Sequence, residues 1–145
     1  MTQILVVSGR FYDNIADELV RGAKQALDAA GASVTVIDVP GALEVPSVIR
    51  YAVGTNSYDG YVALGCVIRG ETSHYDIVCN ESARALNIIT MQVSAAIGNG
   101  ILTVENMEQA IERAYVSKGN KGADAANACL RLVEIKKQFG MGRRP

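Results

Sequence analysis

The sequence predicts an α/β fold: a three-layer α/β/α sandwich around a four-stranded parallel sheet, of the flavodoxin-like type. Two observations support this prediction. Short apolar runs rich in β-branched residues alternate with amphipathic helical segments, and the connections between them are short. Such alternation produces parallel strands joined by right-handed crossovers, with helices on both faces of the sheet. No internal repeat or linker divides residues 1–145, so we expect a single domain.

Composition narrows the class of protein. The 145 residues are 49% hydrophobic, which is enough for a real core. Fourteen basic and 15 acidic residues give a net charge of −1, so no overall field favours nucleic acid or an anionic membrane. The three cysteines have neither metal-ligand spacing nor an even count, which favours reduced thiols and no metal site. Without signal-peptide features or an apolar stretch of ~20 residues, a soluble, cytoplasmic protein is expected.

The first half of the chain contains two predicted strands and two predicted helices. Residues 4–7 predict a strand buried on both faces, and residues 34–37 predict a second strand. Between them, Asn14 is the predicted N-cap of a helix, and Gly31 occupies the position of a C′ glycine. A short helix is predicted to begin near Val45, from the apolar stripe of Val45, Val48, Ile49 and Ala52, and Pro46 is acceptable in its first turn.

The second half continues the alternation. A third strand is predicted at residues 61–66, and a weaker fourth at residues 93–97. A long helix is predicted to begin around Ser73, where Ser73-x-x-Asp76 resembles a capping box. Thr103 is the predicted cap of the next helix, and a last amphipathic helix ends the chain.

Four segments follow the predicted strands and hold the unusual residues. In open parallel sheets the ligand lies beyond the carboxyl ends of the strands. The segments at that edge are residues 8–11, 40–44, 65–74 and 98–100. One of them ends in His74, the only histidine, whose imidazole is suited to proton transfer near neutral pH.

Each candidate also has a plainer interpretation. Residues 70–73 at a helix start suit a phosphate, and they suit a simple capped turn equally well. Phe11 is expected either to stack on a planar ligand or to staple onto the following helix. Glu44 is expected either to be buried near a ligand or to complement a helix N-terminus. Taken alone, Arg113 and Lys121 predict only solvated charges.

Together the segments resemble the 6,7-dimethyl-8-ribityllumazine synthase family of riboflavin biosynthesis. The matching motifs are Gly9-Arg-Phe11, Val39-Pro-Gly-Ala-Leu-Glu-Val-Pro46, Gly65-x-Val-Ile-Arg-Gly-x-Thr-x-His74, Gly100-Ile-Leu-Thr103 and Asn120-Lys-Gly122. Each motif is weak alone, but the combination is specific. The resemblance implies a transferase without a cofactor. It would condense 5-amino-6-(D-ribitylamino)uracil with 3,4-dihydroxy-2-butanone 4-phosphate to give 6,7-dimethyl-8-ribityllumazine, phosphate and water.

The resemblance also implies a role for each site residue. His74 would transfer protons, and Phe11 would stack on the pyrimidine. The ribityl chain and ring would be held by Ala42, Leu43 and Glu44, and the pyrimidine would meet backbone groups of Cys66, Val67 and Ile68. The phosphate would be bound by Glu71, Thr72 and Arg113, with added positive charge from Lys121. Asn99 stands where many members carry an aromatic residue that packs on the pyrimidine.

The resemblance further implies a homo-oligomer. The family places each site between neighbouring subunits of a pentamer, some members assemble a 60-subunit shell, and riboflavin synthase is an implied partner. Only 20% of the residues are charged, which also favours buried subunit contacts. The short N-terminus predicts that the extra strand many members donate to a neighbour is absent.

Two other classes of function stay open at this point. One is a flavin- or nucleotide-binding module of flavodoxin-like type, and the other is a catalytically silent, capsid-like binder of lumazine or riboflavin. Together, His74, Glu44 and Arg113 favour catalysis over both.

Overall fold

Four parallel strands form the centre of the computed structural model, which describes residues 1–142. The elements in chain order are β1 (Gln3–Gly9), α1 (Asp13–Ala29), β2 (Ser33–Val39), a 3₁₀ turn (Ala42–Glu44), α2 (Val45–Val53), β3 (Gly60–Ile68), α3 (His74–Val93), β4 (Ile97–Val104), α4 (Met107–Ala114) and α5 (Lys121–Gln138). The strand order is β2-β1-β3-β4, and every pairing is parallel. The predicted flavodoxin-like α/β/α sandwich is confirmed.

The sheet separates two hydrophobic cores, because successive side chains of a strand point to opposite faces. On one face Ile4 and Val6 pack with α1, α4 and α5. On the other face Leu5 and Val7 pack with α2 and α3. The central strands β1 and β3 are therefore buried on both sides, as their continuous apolar runs predict.

The start of α1 differs from the prediction. Tyr12, not Asn14, is the N-cap residue, and its side chain makes no capping hydrogen bond. The Asn14 amide instead lies 3.8 Å from the sulfur of Met107. Two other predictions hold: Gly31 follows α1 in the left-handed region at φ 75°, and α2 begins at Val45.

The fourth parallel strand is present, but its predicted bounds, residues 93–97, are wrong. Helix α3 continues through Val93, and the strand begins only at Ile97. Gly98 and Gly100 therefore lie inside β4 rather than in a loop after it. A Cβ on Gly98 would lie 1.9 Å from the carbonyl oxygen of Ala125, and one on Gly100 would lie 2.9 Å from the Ala125 Cβ. The two glycines thus allow α5 to pack directly on the strand. The carboxyl end of β4 is at Val104, not at residues 98–100.

The cap of α4 is also misplaced in the prediction. Thr103 pairs with Val67 inside the sheet, because β4 extends to residue 104. The N-cap is Asn106, whose Oδ1 accepts a hydrogen bond from the Gln109 amide at 2.9 Å. Among the described residues, no helix has the length and apolar character needed to cross a membrane.

Candidate active site

A cleft of about 350 Å³ lies at the carboxyl ends of β1, β2 and β3. Three of the four predicted segments meet there, because parallel strands end at a common edge of the sheet. The lining residues are Phe11, Tyr12, Gly41, Ala42, Leu43, Glu44, Cys66, Val67, Ile68, Gly70, Thr72, His74, Tyr75 and Val78. Nine of the predicted site residues are therefore brought together.

The floor of the cleft is apolar and carries a neutral thiol. Ala42, Val67 and Val78 form a small buried cluster beneath it. Cys66 is 8% exposed, and burial raises the pKa of its thiol to about 12. At neutral pH this cysteine is therefore protonated and is not a nucleophile. All three cysteines are free thiols, and no cluster suited to a metal ion occurs in residues 1–142.

Two adjacent aromatic rings stand at the mouth of the cleft. Phe11 is 74% exposed, and its ring meets that of Tyr12 edge to face with 4.9 Å between centroids. A ring stapled onto α1 would be covered by the helix, so the structure does not support the staple interpretation of Phe11. Burial is the main cause that raises the pKa of Tyr12, with a smaller contribution from Cys66. The exposed face of Phe11 is therefore available to a planar ligand.

Arg10 fixes the loop that carries these rings. Its guanidinium pairs with Asp13 at 3.3 Å and with Asp17 in α1, and it lies 3.9 Å from Asp38 at the end of β2. Its amide also donates to the carbonyl of Val39 at 2.9 Å. The loop after β1 is thus tied to α1 and to β2, which restricts where the neighbouring aromatic rings can lie.

His74 is the first residue of α3 and is exposed at the cleft. Its amide donates to the hydroxyl of Thr72 at 3.3 Å. The helix begins where predicted, with Ser73 as N-cap, but the capping box is not formed. The Ser73 side chain makes no capping bond, and the Asp76 carboxylate lies 3.7 Å from Arg69 instead.

Glu44 lines the cleft from the 3₁₀ turn and occupies the N-cap position of α2. Its side chain is exposed, so the expectation that it is buried is wrong. Its position agrees with the alternative, a carboxylate that complements the positive end of a helix. Glu44 and His74 give the cleft one acidic group and one imidazole.

Four predicted site residues do not line the cleft. Glu71 is exposed in the loop between two lining residues, whereas the other three lie on different elements. Asn99 pairs with Ala63 inside β4, and its Oδ1 accepts a hydrogen bond from the Ile101 amide at 2.9 Å. Its expected place after a strand is therefore wrong, for the reason given for β4.

The two predicted phosphate cations also lie outside the cleft of their own chain. Arg113 is near the end of α4, where its Nη1 donates to the carbonyl of Gln109 at 3.2 Å. Lys121 is the exposed first residue of α5. Among the described residues, no lysine or arginine lines the cleft.

Sequence reasoning missed five lining residues: Tyr12, Gly41, Gly70, Tyr75 and Val78. The two tyrosines were adjacent to predicted residues, Phe11 and His74, and that adjacency was the available signal. Helical spacing from His74 also leads to residue 78, because positions four apart share a face.

The fold and the cleft define an α/β protein with a cleft of small-molecule size at the carboxyl edge of its sheet. Residues 1–137 match the model of the 6,7-dimethyl-8-ribityllumazine synthase family. The chain belongs to that family, as its motifs predicted.

Three relatives illustrate the similarity. The 6,7-dimethyl-8-ribityllumazine synthase 1 of Rhizobium meliloti is 56% identical over 142 residues, which cover 94% of this chain and 93% of the relative. The synthase of Bartonella tribocorum is 56% identical, with 97% and 93% covered. The synthase of Sphingopyxis alaskensis is 51% identical, with 98% and 100% covered.

Proposed function

We propose that this chain catalyses the condensation of 5-amino-6-(D-ribitylamino)uracil with 3,4-dihydroxy-2-butanone 4-phosphate. The products are 6,7-dimethyl-8-ribityllumazine, phosphate and water, and the enzyme is a transferase. The family match over residues 1–137 and relatives at 51–56% identity support this reaction. The observation that carries the proposal is the cleft in which Phe11, Glu44 and His74 converge.

The pyrimidine is proposed to enter with its ring against Phe11. The strand end formed by Cys66, Val67 and Ile68 offers backbone groups to the edge of that ring, as in the family. Ala42, Leu43 and Glu44 would contact the ribityl chain, because the 3₁₀ turn places them on the same cleft wall. Asn99 supplies no aromatic surface, so we assign the aromatic wall to Phe11 and Tyr12.

The proposed chemistry needs orientation and proton transfer. Amine attack on the ketone, loss of phosphate and ring closure each move a proton between heteroatoms or from carbon. His74 is the proposed proton carrier, since it is the cleft's imidazole. Thr72 and Glu71 lie on the loop before it and are the proposed phosphate contacts. Holding both substrates in one cleft contributes further, by converting a bimolecular step into an effectively unimolecular one.

The phosphate site is proposed to be completed by a second copy of the chain. A phosphate group binds most strongly to charged donors such as arginine. No lysine or arginine among residues 1–142 lines the cleft, while Arg113 and Lys121 are exposed elsewhere on the same chain. We therefore propose that a neighbouring subunit supplies both cations, in a pentamer formed from this single-domain chain. Assembly of pentamers into a 60-subunit shell stays an open alternative.

The resemblance also underlies two wider proposals. The proposed location is the cytoplasm. Riboflavin synthase is the proposed partner, because the family catalyses the penultimate step of riboflavin biosynthesis. Co-purification of the two enzymes from one lysate, compared with purified proteins mixed at known concentration, tests the partnership.

The reaction itself is tested by phosphate release. The purified protein is expected to release phosphate from the butanone phosphate only when the aminouracil is present, with product formed in equal amount. A flavin-binding module or a silent binder would bind lumazine or riboflavin and release no phosphate. Phosphate release without the aminouracil would indicate a phosphatase and would contradict the proposal.

A further inference from the structure

Arg69 connects three parts of the structure at the rim of the cleft. Its amide donates to the carbonyl of Val104 at 2.9 Å, just beyond the β3–β4 pairing. Its Nε lies 2.6 Å from Oε2 of Glu105, and its Nη1 lies 3.7 Å from Oδ1 of Asp76. Its guanidinium carbon stands 4.3 Å from the centre of the Tyr75 ring. One side chain therefore links the end of β3, the residue after β4 and the first turn of α3.

The first turn of α3 lacks the usual internal support. A helix start leaves amide groups without helical partners, and an N-cap side chain normally accepts from one of them. Here the Ser73 side chain makes no such bond. The local contacts are backbone Asp76 to Ser73 at 3.0 Å and the His74 amide to Thr72 at 3.3 Å. Contacts from outside the helix can therefore contribute to the orientation of this turn.

Arg69 supplies such contacts. Because its guanidinium is already paired with two carboxylates, it is less available to bind a phosphate. Its guanidinium is engaged by Glu105 and Asp76, on the β4 side and the α3 side. Its planar face covers Tyr75, which itself lines the cleft next to His74. A guanidinium can pair along its edge and stack on its face at once, whereas a lysine ammonium cannot reproduce that geometry.

We propose that Arg69 is a positioning residue that acts through α3. By pairing with both Glu105 and Asp76, Arg69 holds the first turn of α3 at the end of β4, and so it sets the position of the His74 imidazole and of loop residues 70–73. This inference rests on the proposed function, because it assigns a role within the same cleft. Arg69 is not proposed to contact the substrate. Its guanidinium contacts Glu105, Asp76 and the Tyr75 ring instead.

Kinetic comparison of five variants, one of them a control, tests the proposal. Arg69→Lys, Arg69→Gln and Glu105→Gln are each expected to lower kcat by about 3–30-fold, since a misplacement of ~1 Å can cost ~100-fold. The KM for the aminouracil is expected to stay near that of the unaltered protein. The double variant Arg69→Gln/Glu105→Gln is expected to be no slower than Arg69→Gln, because coupled groups are not additive. Arg131→Gln, which breaks an ion pair with Glu134 on α5, is the matched control and should leave kcat unchanged.

Hydrogen–deuterium exchange gives a readout that needs no activity. Peptides covering residues 70–78 are expected to exchange faster in Arg69→Lys, Arg69→Gln and Glu105→Gln, with no change in Arg131→Gln. If the unaltered protein releases no phosphate, the proposed function fails, whereas this exchange comparison still tests the link through Arg69. Where Arg69→Gln does not fold, Arg69→Lys and Glu105→Gln provide the comparison.

Two results would overturn the inference. Unchanged kcat and unchanged exchange in Arg69→Gln would show that the turn does not depend on Arg69. A raised KM for the phosphorylated substrate alone, with tighter binding of that substrate in Glu105→Gln, would show a direct phosphate contact instead. In that case releasing the arginine from its carboxylate would strengthen phosphate binding, whereas a positioning role predicts slower turnover in Glu105→Gln without tighter binding of that substrate.

Discussion

The backbone of Gly9 lies directly against that of Gly41. A Cβ on Gly9 would stand 2.8 Å from the carbonyl carbon of Gly41, a distance that real Cβ contacts do not reach. The contact joins the loop that carries Phe11 to the turn that carries Ala42 and Glu44. Two walls of the cleft therefore touch through glycine backbones, and the width of the cleft depends on that approach.

Gly9→Ala is expected to destabilise the protein and to widen the cleft. Overpacking costs about 1–3 kcal/mol, and backbone atoms can relieve it only by moving apart. Thermal unfolding should show a lower Tm, and the KM for the aminouracil should rise. The control is Gly65→Ala, whose new Cβ would lie 3.7 Å from its nearest neighbours, in ordinary contact. Equal effects of both substitutions would contradict the role assigned to the Gly9–Gly41 contact.

His74→Ala is expected to slow turnover while aminouracil binding is largely kept. General acid–base groups contribute ~10²–10⁴-fold, and we expect the low end or less, because the first amine–ketone step proceeds slowly unaided. The measurement is kcat across the pH range, together with the dissociation constant of the aminouracil. Turnover equal to that of the unaltered protein at every pH would remove His74 from the mechanism.

Arg113→Ala is expected to raise the KM for the phosphorylated substrate far more than that for the aminouracil. A charge-assisted contact to phosphate contributes ~1.5–3 kcal/mol, so the rise should be about 10–150-fold. Steady-state kinetics with each substrate varied in turn provides the measurement. Lys118→Ala, on the loop after α4, is the comparison cation, since it pairs with Glu112 at 3.3 Å. Equal changes in the KM values of both substrates would show that Arg113 is a surface charge and not a phosphate contact.

The shared site predicts complementation between two impaired variants, assayed at a low concentration of the phosphorylated substrate. If His74 and Arg113 of one site come from different chains, refolding His74→Ala together with Arg113→Ala restores intact sites. Random mixing in a ring would restore about a quarter of them. Activity that never exceeds the mean of the two separate variants would place both residues in one chain.

The oligomeric state is expected to be a pentamer, with no active monomer or dimer. Light scattering at the protein concentration of the assay measures the mass directly. A megadalton particle would establish the shell, whereas an active monomer or dimer would refute the shared site.

Stability is expected to fall as the pH rises above 9. Burial raises the pKa of Cys66 and of Cys129 from 9.0 to about 12. Between those values the unfolded chain loses thiol protons that the folded chain keeps, so the free energy of unfolding decreases with pH. This contribution is fully present below pH 9. Urea unfolding at pH 8, 9 and 10 measures the slope, and a Cys66→Ala/Cys129→Ala variant should flatten it. The same slope in both proteins would contradict the assignment.

Local patterns predicted much of the architecture, and three of the four segments that they placed at the ligand edge do line the cleft. The apolar runs of β1 and β3 need both faces buried, and the residues after parallel strands must share an edge. His74 and Phe11 were found in this way, because their places depend on nearby residues and on strand direction. The family motifs added roles that spacing alone does not contain.

Only the tertiary structure decided the rest, because each remaining feature depends on residues distant in sequence. Gly98 and Gly100 belong to a strand because Ala125 of α5 packs on them and β3 pairs with them, although glycine disfavours strands by itself. The capping box expected at the start of α3 is absent: the Ser73 side chain makes no capping bond, and the Asp76 carboxylate lies beside Arg69. That no lysine or arginine of residues 1–142 lines the cleft likewise follows from how α4 and α5 pack, and no local pattern encodes it.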